Sequence, residues 1–246
     1  MLILLGGNII ASSQLVNKRH SISISAAALH LGDISVLKTS VDGTGRGFKY
    51  SYTRITGSRY SVVSAGWKHG LFNSGSSRLK LNDFSVMLSD GFLIDRNKHS
   101  PFKAWLGYSV EVNPSFVKLQ NKAEEKYSWS SVNSLNLYQF YTYQYNKSIF
   151  SFSVHVPLIG FSSRPGHSTQ YPTDINGLLY NSYSNLSLTS FHNYKTVNLD
   201  LNYMHRINAK WNFIAGLNYR YSDLETTLPV RLQSAGIQAG LSLKID

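Results

Sequence analysis

The sequence contains no cysteine. That absence excludes a disulfide framework, a thiolate nucleophile, a zinc–thiolate site and a lipid-modified cysteine near the start. The sequence also lacks any apolar run that approaches the roughly 18 residues of a membrane-spanning helix. Its eight histidines are scattered, with no His-x-x-x-His pair. We therefore expect neither a metal site nor a cofactor.

Acidic residues are scarce as well. The 246 residues include 13 Asp and Glu against 24 Lys and Arg, which gives a formal net charge of +11. A charge of this sign attracts anionic partners, and lipopolysaccharide and nucleic acid both qualify. The alternative is a general bias of the solvated surface, because net charge concerns solubility and association rather than fold.

Alternation of apolar and polar residues is the most abundant pattern, and residues 234–245 show it most clearly. Ala235, Ile237, Ala239, Leu241, Leu243 and Ile245 alternate with small or polar residues. A period of two indicates a strand with two unlike faces. Its length suits a membrane-crossing strand, which needs roughly 9–11 tilted residues. Because lipid cannot satisfy a free strand edge, we expect this strand to pair with the first one.

Nine further segments show the same alternation. The ten predicted strands cover residues 21–30, 47–55, 59–69, 79–95, 102–113, 133–145, 148–156, 189–206, 211–222 and 234–245. Short connections alternate with longer ones, which is typical of short periplasmic turns and longer outer loops. The pattern therefore predicts an all-β fold, a transmembrane antiparallel up-and-down β-barrel of about ten strands. A soluble barrel, with its apolar face inward, stays open as an alternative.

The N-terminal residues read as a processing signal. An apolar run over residues 2–10 precedes the small residues Ala11, Ser12 and Ser13, as at a signal-peptide cleavage site. No Lys or Arg precedes the run, so residues 1–13 are interpreted as a truncated signal peptide. Residues 14–246 are then a single β-barrel domain.

On these features the chain resembles small Gram-negative outer-membrane β-barrel proteins. The resemblance lies in the architecture and includes no diagnostic motif. It implies a place in the bacterial outer membrane, with membrane lipid as partner and lipopolysaccharide as the candidate lipid. Envelope proteins are further candidate partners, and nucleic acid is not expected. The chain departs from such barrels by ending on Asp246 rather than on an aromatic residue.

The inward faces of the predicted strands carry most of the candidate site residues. They are Lys49, Lys68, Asp83, Lys103, Glu111, His155, Asp200, Arg206, Arg220 and Lys244. Charges in a confined lumen need partners or water. One interpretation is therefore a salt-bridged plug, because a ten-stranded barrel is little wider than one that side chains fill. The other is a narrow passage or ligand pocket with a mild preference for anions.

Residues 157–186 form the longest irregular stretch, with prolines at 157, 165 and 172. Loops of this length are usually functional or disordered. The hypothesis is that Pro157 stiffens a loop which gates the barrel or docks a partner. Ile159 and Phe161 would lie against the lumen rim, and Arg164 would pair with an inward carboxylate or an external phosphate. The alternative is a loop that packs on its own small core.

Two enzyme classes have partial signals. Ser153-Val154-His155 has the two-residue spacing of a Ser–His pair in outer-membrane lipid hydrolases, in reverse order. The acidic pairs and Asp–His pair of an omptin-type protease have no counterpart, since the sequence lacks Asp-x-Asp and Asp-x-His. We therefore expect a non-enzymatic protein, either a structural or a narrow small-solute channel component. The alternatives are a lipid-modifying hydrolase and a surface adhesin or partner subunit of an envelope complex.

Overall fold

The computed structural model describes residues 17–33, 40–74, 77–94, 100–120, 125–164, 180, 186–190, 192–226 and 229–245. This part of the chain forms eleven strands in one antiparallel sheet. They are β1 (Asn17–Asp33), β2 (Val41–Thr56), β3 (Arg59–Ser74), β4 (Ser77–Leu93), β5 (Phe102–Gln120), β6 (Glu125–Tyr145), β7 (Ser148–Ser163), β8 (Leu186–Ser190), β9 (Tyr194–Arg206), β10 (Trp211–Leu224) and β11 (Val230–Ile245). No helix among these residues is long and apolar enough to cross a membrane. The predicted signal peptide lies outside the described residues.

The sheet closes on itself. β1 pairs with β11 from Lys18↔Ile245 to Asp33↔Val230, and β6 pairs with β7. β8 and β9 share one position in the ring, because both pair with β7, at its end and at its beginning respectively. The result is a closed ten-position barrel, in which every central strand edge is satisfied. The predicted barrel and its closure by the first and last strands are confirmed.

The apolar faces of the strands point outward. Ile24 on β1 is 67% exposed and Ile237 on β11 is 64% exposed. The two residues lie on neighbouring strands, where Ile24 pairs with Ala239 and Ile237 pairs with Ala26. Ser64 on β3 and Ser109 on β5 belong to the other face of the sheet, and both are buried in the interior of the barrel. An apolar exterior around a largely polar interior is the arrangement of a membrane barrel and the reverse of a soluble one. The alternative of a soluble barrel is therefore excluded.

The two ends of the barrel differ. The end that carries Asn17 and Ile245 is predicted to face the periplasm and is called the periplasmic end. Two of its connections are two-residue turns, and each begins with a positive backbone angle, φ 56° at Gly57 and φ 51° at Asn146. Glycine and asparagine adopt this conformation most readily.

At the outer end the strands extend beyond their predicted limits. β1 continues to Asp33, β2 already begins at Val41, and β3 and β4 reach Ser74 and Ser77. Much of the sequence predicted as outer loop is therefore strand. The cause is a change in the inward face, which on β1 passes from Ser21, Ser23 and Ser25 to Leu29 and Leu31. The contrast between the two faces disappears there, although strand pairing continues.

The beginning of the predicted 157–186 loop is also strand. Pro157 and the residues up to Ser163 belong to β7, and the pairing shifts between Leu135 and Asn136, where Leu158 is the extra residue. Proline is tolerated at such a bulge because it has no N–H to offer the ladder. The bulge changes which residues of β7 face inward, from odd-numbered to even-numbered ones. Residues 165–179 and 181–185 of the predicted loop lie outside the description.

An apolar core fills the outer part of the lumen. Its buried members come from six strands and are Leu29, Leu31, Val41, Phe72, Leu79, Leu81, Val117 and Leu232. Glycines on neighbouring inward positions make room for the larger side chains. A Cβ atom on Gly70 would lie 2.5 Å from Leu29 Cδ1, and one on Gly43 would lie 2.5 Å from Phe72 Cδ1. Tight packing of this kind leaves little free volume.

Candidate functional site

The outermost feature of the lumen is an ion pair between β1 and the residue that follows β7. Arg164 Nη2 lies 2.8 Å from Asp33 Oδ1, and Nη1 lies 3.3 Å from the Trp129 carbonyl oxygen. The two charged side chains are 5% and 1% exposed. β1 and β7 are four positions apart on one side of the ring and six on the other. The pair therefore spans the outer mouth of the barrel.

The apolar core lies directly beneath this pair. A second buried cluster of Val132, Tyr194 and Leu224 adjoins it through Val230. The cavity between Asp33, Leu31 and Leu81 measures about 30 Å³. A space of that size holds about one water molecule. The outer part of the lumen is therefore filled by side chains.

Beneath the apolar core lies a layer of charged residues. Arg220 Nη1 is 3.3 Å from Asp83 Oδ2, and Arg220 Nη2 is 3.7 Å from Glu111 Oε1. Lys49 Nζ is 3.8 Å from Asp200 Oδ2. Lys68 lies opposite Asp83 in the β3–β4 pairing and donates to Ser234 Oγ at 2.7 Å.

Six of the ten predicted lumen residues thus form this ionic layer. The three cations, Lys49, Lys68 and Arg220, are balanced by the three carboxylates of Asp83, Glu111 and Asp200. The predicted excess of positive charge does not lie here. It lies nearer the periplasmic end, where Lys103 lines a large cavity and Arg206 and Lys244 line its mouth.

The large cavity occupies the periplasmic half of the lumen and measures about 1170 Å³. One wall carries four largely buried aromatic side chains, Tyr60, Trp105, Tyr138 and Phe140. We call these four residues the aromatic wall. The ring centroids of Tyr60 and Phe140 are 4.2 Å apart, and those of Trp105 and Phe140 are 5.4 Å apart. None of the four is among the site residues predicted from the sequence, although alternation with outward Leu137 and Tyr141 places Tyr138 and Phe140 inward.

His155, the tenth predicted lumen residue, lies between the ionic layer and the cavity. Its Nδ1 atom is 2.9 Å from Ser109 Oγ on β5, so the hydrogen bond is with Ser109 rather than with Ser153. Asn136 Nδ2 donates to the same Ser109 oxygen at 3.3 Å. Ser109 is fully buried. Ser109 and His155 therefore form an interior hydrogen-bond network in which the hydroxyl has no access to bulk solvent.

The predicted gate residues separate into two groups. Arg164 enters the lumen, as described above, and Pro157 is buried at the bulge. Ile159 and Phe161 point outward and are exposed, so they do not lie against the lumen rim. The bulge causes this difference, because the residues that follow it alternate outward at odd numbers and inward at even numbers.

Two further kinds of site, an Asp–His pair and a metal site, involve acidic residues or histidine. Asp200 lines the cavity, whereas His205 on the outward face of β9 is 3.1 Å from Ser148 Oγ and 3.3 Å from the Tyr203 hydroxyl. Asp200 and His205 therefore lie on different faces of β9 and do not meet. In the part of the chain that the structure describes, no group of three His, Asp or Glu side chains is placed to hold a metal ion.

The barrel fold has a counterpart among solved structures. No family model matches the sequence, and no curated protein is significantly similar to it. The structure is similar to outer membrane protease OmpT from Escherichia coli, with a TM-score of 0.58, 8% identity, and coverage of 93% of this chain and 97% of that one. It is also similar to the translocator domain of autotransporter NalP from Neisseria meningitidis (TM-score 0.46, 8% identity, coverage 92% and 88%). For Neisserial surface protein A the TM-score is 0.42 and the identity is 14%, with coverage of 92% of this chain and 97% of that one.

At sequence identities this low, structural similarity indicates a shared fold and does not indicate a shared activity. The membrane assignment rests in addition on the apolar exterior of the closed barrel, which only lipid can cover over so large an area. The protein therefore has the closed-barrel fold found in bacterial outer-membrane proteins, with an exterior suited to lipid.

Proposed function

We propose that this protein is a non-enzymatic, structural outer-membrane barrel whose lumen is closed towards the outer face. One observation carries the proposal. The outer ion pair, the apolar core and the ionic layer lie one beneath another, and the cavities found among their described residues measure about 30 Å³ and 140 Å³. The larger cavity lies on the periplasmic side of this barrier.

The physical chemistry of the barrier favours closure over a narrow passage. A hydrated ion that enters the apolar core loses its water and gains no polar partner. Its transfer from water into the core therefore costs on the order of several kcal/mol of free energy. Hydrophobic constrictions gate channels by this mechanism. The ionic layer is also electrically balanced, so it offers no continuous positive path for an anion. The channel hypothesis therefore has less support than the structural one.

The proposed absence of enzyme activity has its own support. Ser109, the serine that His155 contacts, is fully buried. A nucleophile must reach its substrate as well as its base. The similarity to OmpT, itself a protease, extends to the fold. At 8% identity it gives this chain no catalytic residues.

The outward surface supports lipopolysaccharide as the lipid partner. On β2 to β5 the outward face carries the aromatic residues Phe48, Trp67, Phe84 and Phe116. Towards the outer end the same face carries the cationic side chains of Arg46, Lys80 and Lys118, together with exposed Leu71. Lys80 and Lys118 are direct cross-strand neighbours. Lys118 also lies over the Tyr127 ring, with Nζ 5.0 Å from the ring centroid. The three cationic side chains together attract anions such as the phosphates of an outer-leaflet lipid.

A second candidate function, a surface partner role, is favoured by the lengths of β5 and β6. They contain 19 and 21 residues, about twice the roughly 9–11 that a crossing requires. Their outer ends therefore extend beyond the membrane and offer a contact surface. This role is compatible with a closed lumen.

Planar-bilayer recordings test the proposed closure. The wild-type protein is expected to give no steady current above that of a bilayer treated with detergent alone. A triple variant with Leu29→Ala, Phe72→Ala and Leu81→Ala, which empties the apolar core, is expected to conduct intermittently. A steady wild-type current with anion preference, shifted towards cations by Lys68→Glu with Arg220→Glu, would instead show that the narrow-channel interpretation is right.

A further inference from the structure

The periplasmic cavity combines two properties that a water-filled lumen does not require. The interior of a membrane barrel is usually polar, yet the aromatic wall here presents four rings from β3, β5 and β6. Tyr60 and Phe140 are stacked at an interplanar angle of 21°, and Tyr138 and Phe140 at 15°. The rings cover much of one another's faces, since their exposed fractions are only 3% for Tyr138 to 9% for Phe140. The wall therefore offers the cavity mainly ring edges, against which another ring or an acyl chain can pack.

The entrance to the cavity is cationic. A smaller cavity of about 270 Å³ lies at the mouth, and among the described residues it is lined by the cationic side chains of Arg19, Lys147, Arg206 and Lys244 and by no carboxylate. Arg19, Gln144 and Met204 line both cavities, so the mouth opens into the larger space. A cationic entrance with low-dielectric walls raises the local concentration of anions.

Arg19 joins the two properties. Its guanidinium group contacts neutral groups, Asn17 Oδ1 at 3.0 Å and Met204 Sδ at 3.2 Å. None of the hydrogen bonds or ion pairs seen for Arg19 among the described residues involves a carboxylate. Arg19 also lies close enough to Tyr60 for the two groups to interact electrostatically. A charge that is partly withdrawn from water without a counter-ion is costly, and a bound anion would remove that cost.

The far end of the cavity is blind. Lys49 and Asp200 pair there as part of the ionic layer, and the rest of that layer and the apolar core lie beyond them. A ligand can therefore enter and leave from the periplasmic end, and Arg19, a partner for its charged group, lies near that end. A cation is disfavoured by the entrance, and a wholly polar anion leaves the aromatic wall unused.

We propose that this cavity is a binding site for a water-soluble amphiphilic anion, with its acidic group on Arg19 and its ring or short chain on the aromatic wall. The site deepens the proposed closed barrel and rests on it, because a blind cavity retains a ligand that a through-pore would pass. The two proposals can nevertheless fail separately. Equilibrium binding is measured without reference to conductance, and conductance without reference to a ligand.

Calorimetric titration of the protein in zwitterionic lipid nanodiscs tests the site, with 2-naphthoate as probe. Its cationic counterpart, 2-naphthylmethylammonium, and acetate serve as comparison ligands. We expect 2-naphthoate to bind at least 10-fold more tightly than either one. Arg19→Gln should raise the Kd for 2-naphthoate at least 10-fold, and Phe140→Leu should raise it several-fold. Folding of each variant is checked by its heat-induced shift in gel mobility.

The matched control is Arg59→Gln. Arg59 is also an arginine near the periplasmic end, but it faces outward and pairs with Asp90 at 2.6 Å, so the Kd should not change. Equal binding of the two naphthyl ligands, or equal effects of Arg19→Gln and Arg59→Gln, would overturn the proposal. Nanodiscs that contain phosphatidylglycerol distinguish the source of the anion. Unchanged binding supports a soluble ligand, whereas competition by the lipid would overturn that choice.

Discussion

At the scale of single residues, the Asp33–Arg164 pair has the greatest consequence for the lumen. Both side chains are almost fully buried, and a buried pair is worth much less than its Coulomb attraction because both ions lose water. Loss of one partner is a different matter, since the other charge stays buried without that partner. The pair therefore links two sides of the outer mouth, and it contributes little net stability to the fold.

Arg164→Ala is expected to lower the free energy of unfolding by about 3–5 kcal/mol, since Asp33 remains buried without this counter-ion. The double variant Asp33→Leu with Arg164→Leu should lose much less, because its side chains extend the apolar core. Urea unfolding in lipid vesicles measures both. Lys195→Ala, which breaks an exposed pair with Glu225, is the control and should have little effect. If Arg164→Ala were as mild as this control, the pair would not hold the mouth closed.

At the scale of the strand, β9 shows why the membrane-crossing parts could be predicted from the sequence. Leu199 and Leu201 alternate with Asn198, Asp200 and Asn202, because one face meets lipid and the other meets the lumen. The outer ends of the strands lack this contrast, so alternation predicted loops there. β7 was cut short for another reason. Proline usually marks a loop, and a sequence pattern gives no sign that a bulge accommodates Pro157.

The two faces of β9 give a matched pair of substitutions. Leu201 is 48% exposed on the outward face and lies opposite Leu217. Leu201→Arg is therefore expected to destabilise the barrel by about 2–4 kcal/mol if it lies near the bilayer midplane. Asn202 lines the water-accessible cavity, so Asn202→Arg should cost less. Refolding yields and unfolding curves in lipid vesicles compare them. Equal or reversed penalties would contradict the assignment of the outward face to lipid.

At the scale of the whole molecule, the candidate site was predictable as a set of residues but not as an arrangement. Alternation selected Arg220 and Asp83 as inward residues. Their contact, however, joins positions 137 residues apart, on β10 and β4. Which strands face each other across a lumen depends on the closure and stagger of the barrel, and no local pattern encodes either one. The outer apolar core was missed for the same reason, since Leu31 and Leu81 become neighbours only once the ring has closed.

The lumen is expected to open to the periplasmic side alone. Single-cysteine labelling tests this most directly, because the natural sequence has no cysteine. Ser51→Cys places a thiol in the large cavity. Two reporters establish the sidedness of vesicles that hold the protein in one orientation. Ser58→Cys reports the periplasmic turn, and Asp42→Cys replaces an outer side chain that is 89% exposed. A membrane-impermeant sulfonated maleimide is applied from each side in turn. Ser51→Cys should react from the side that labels Ser58→Cys and not from the side that labels Asp42→Cys. Reaction of Ser51→Cys from the Asp42 side would show a path through the outer seal and contradict the closed barrel.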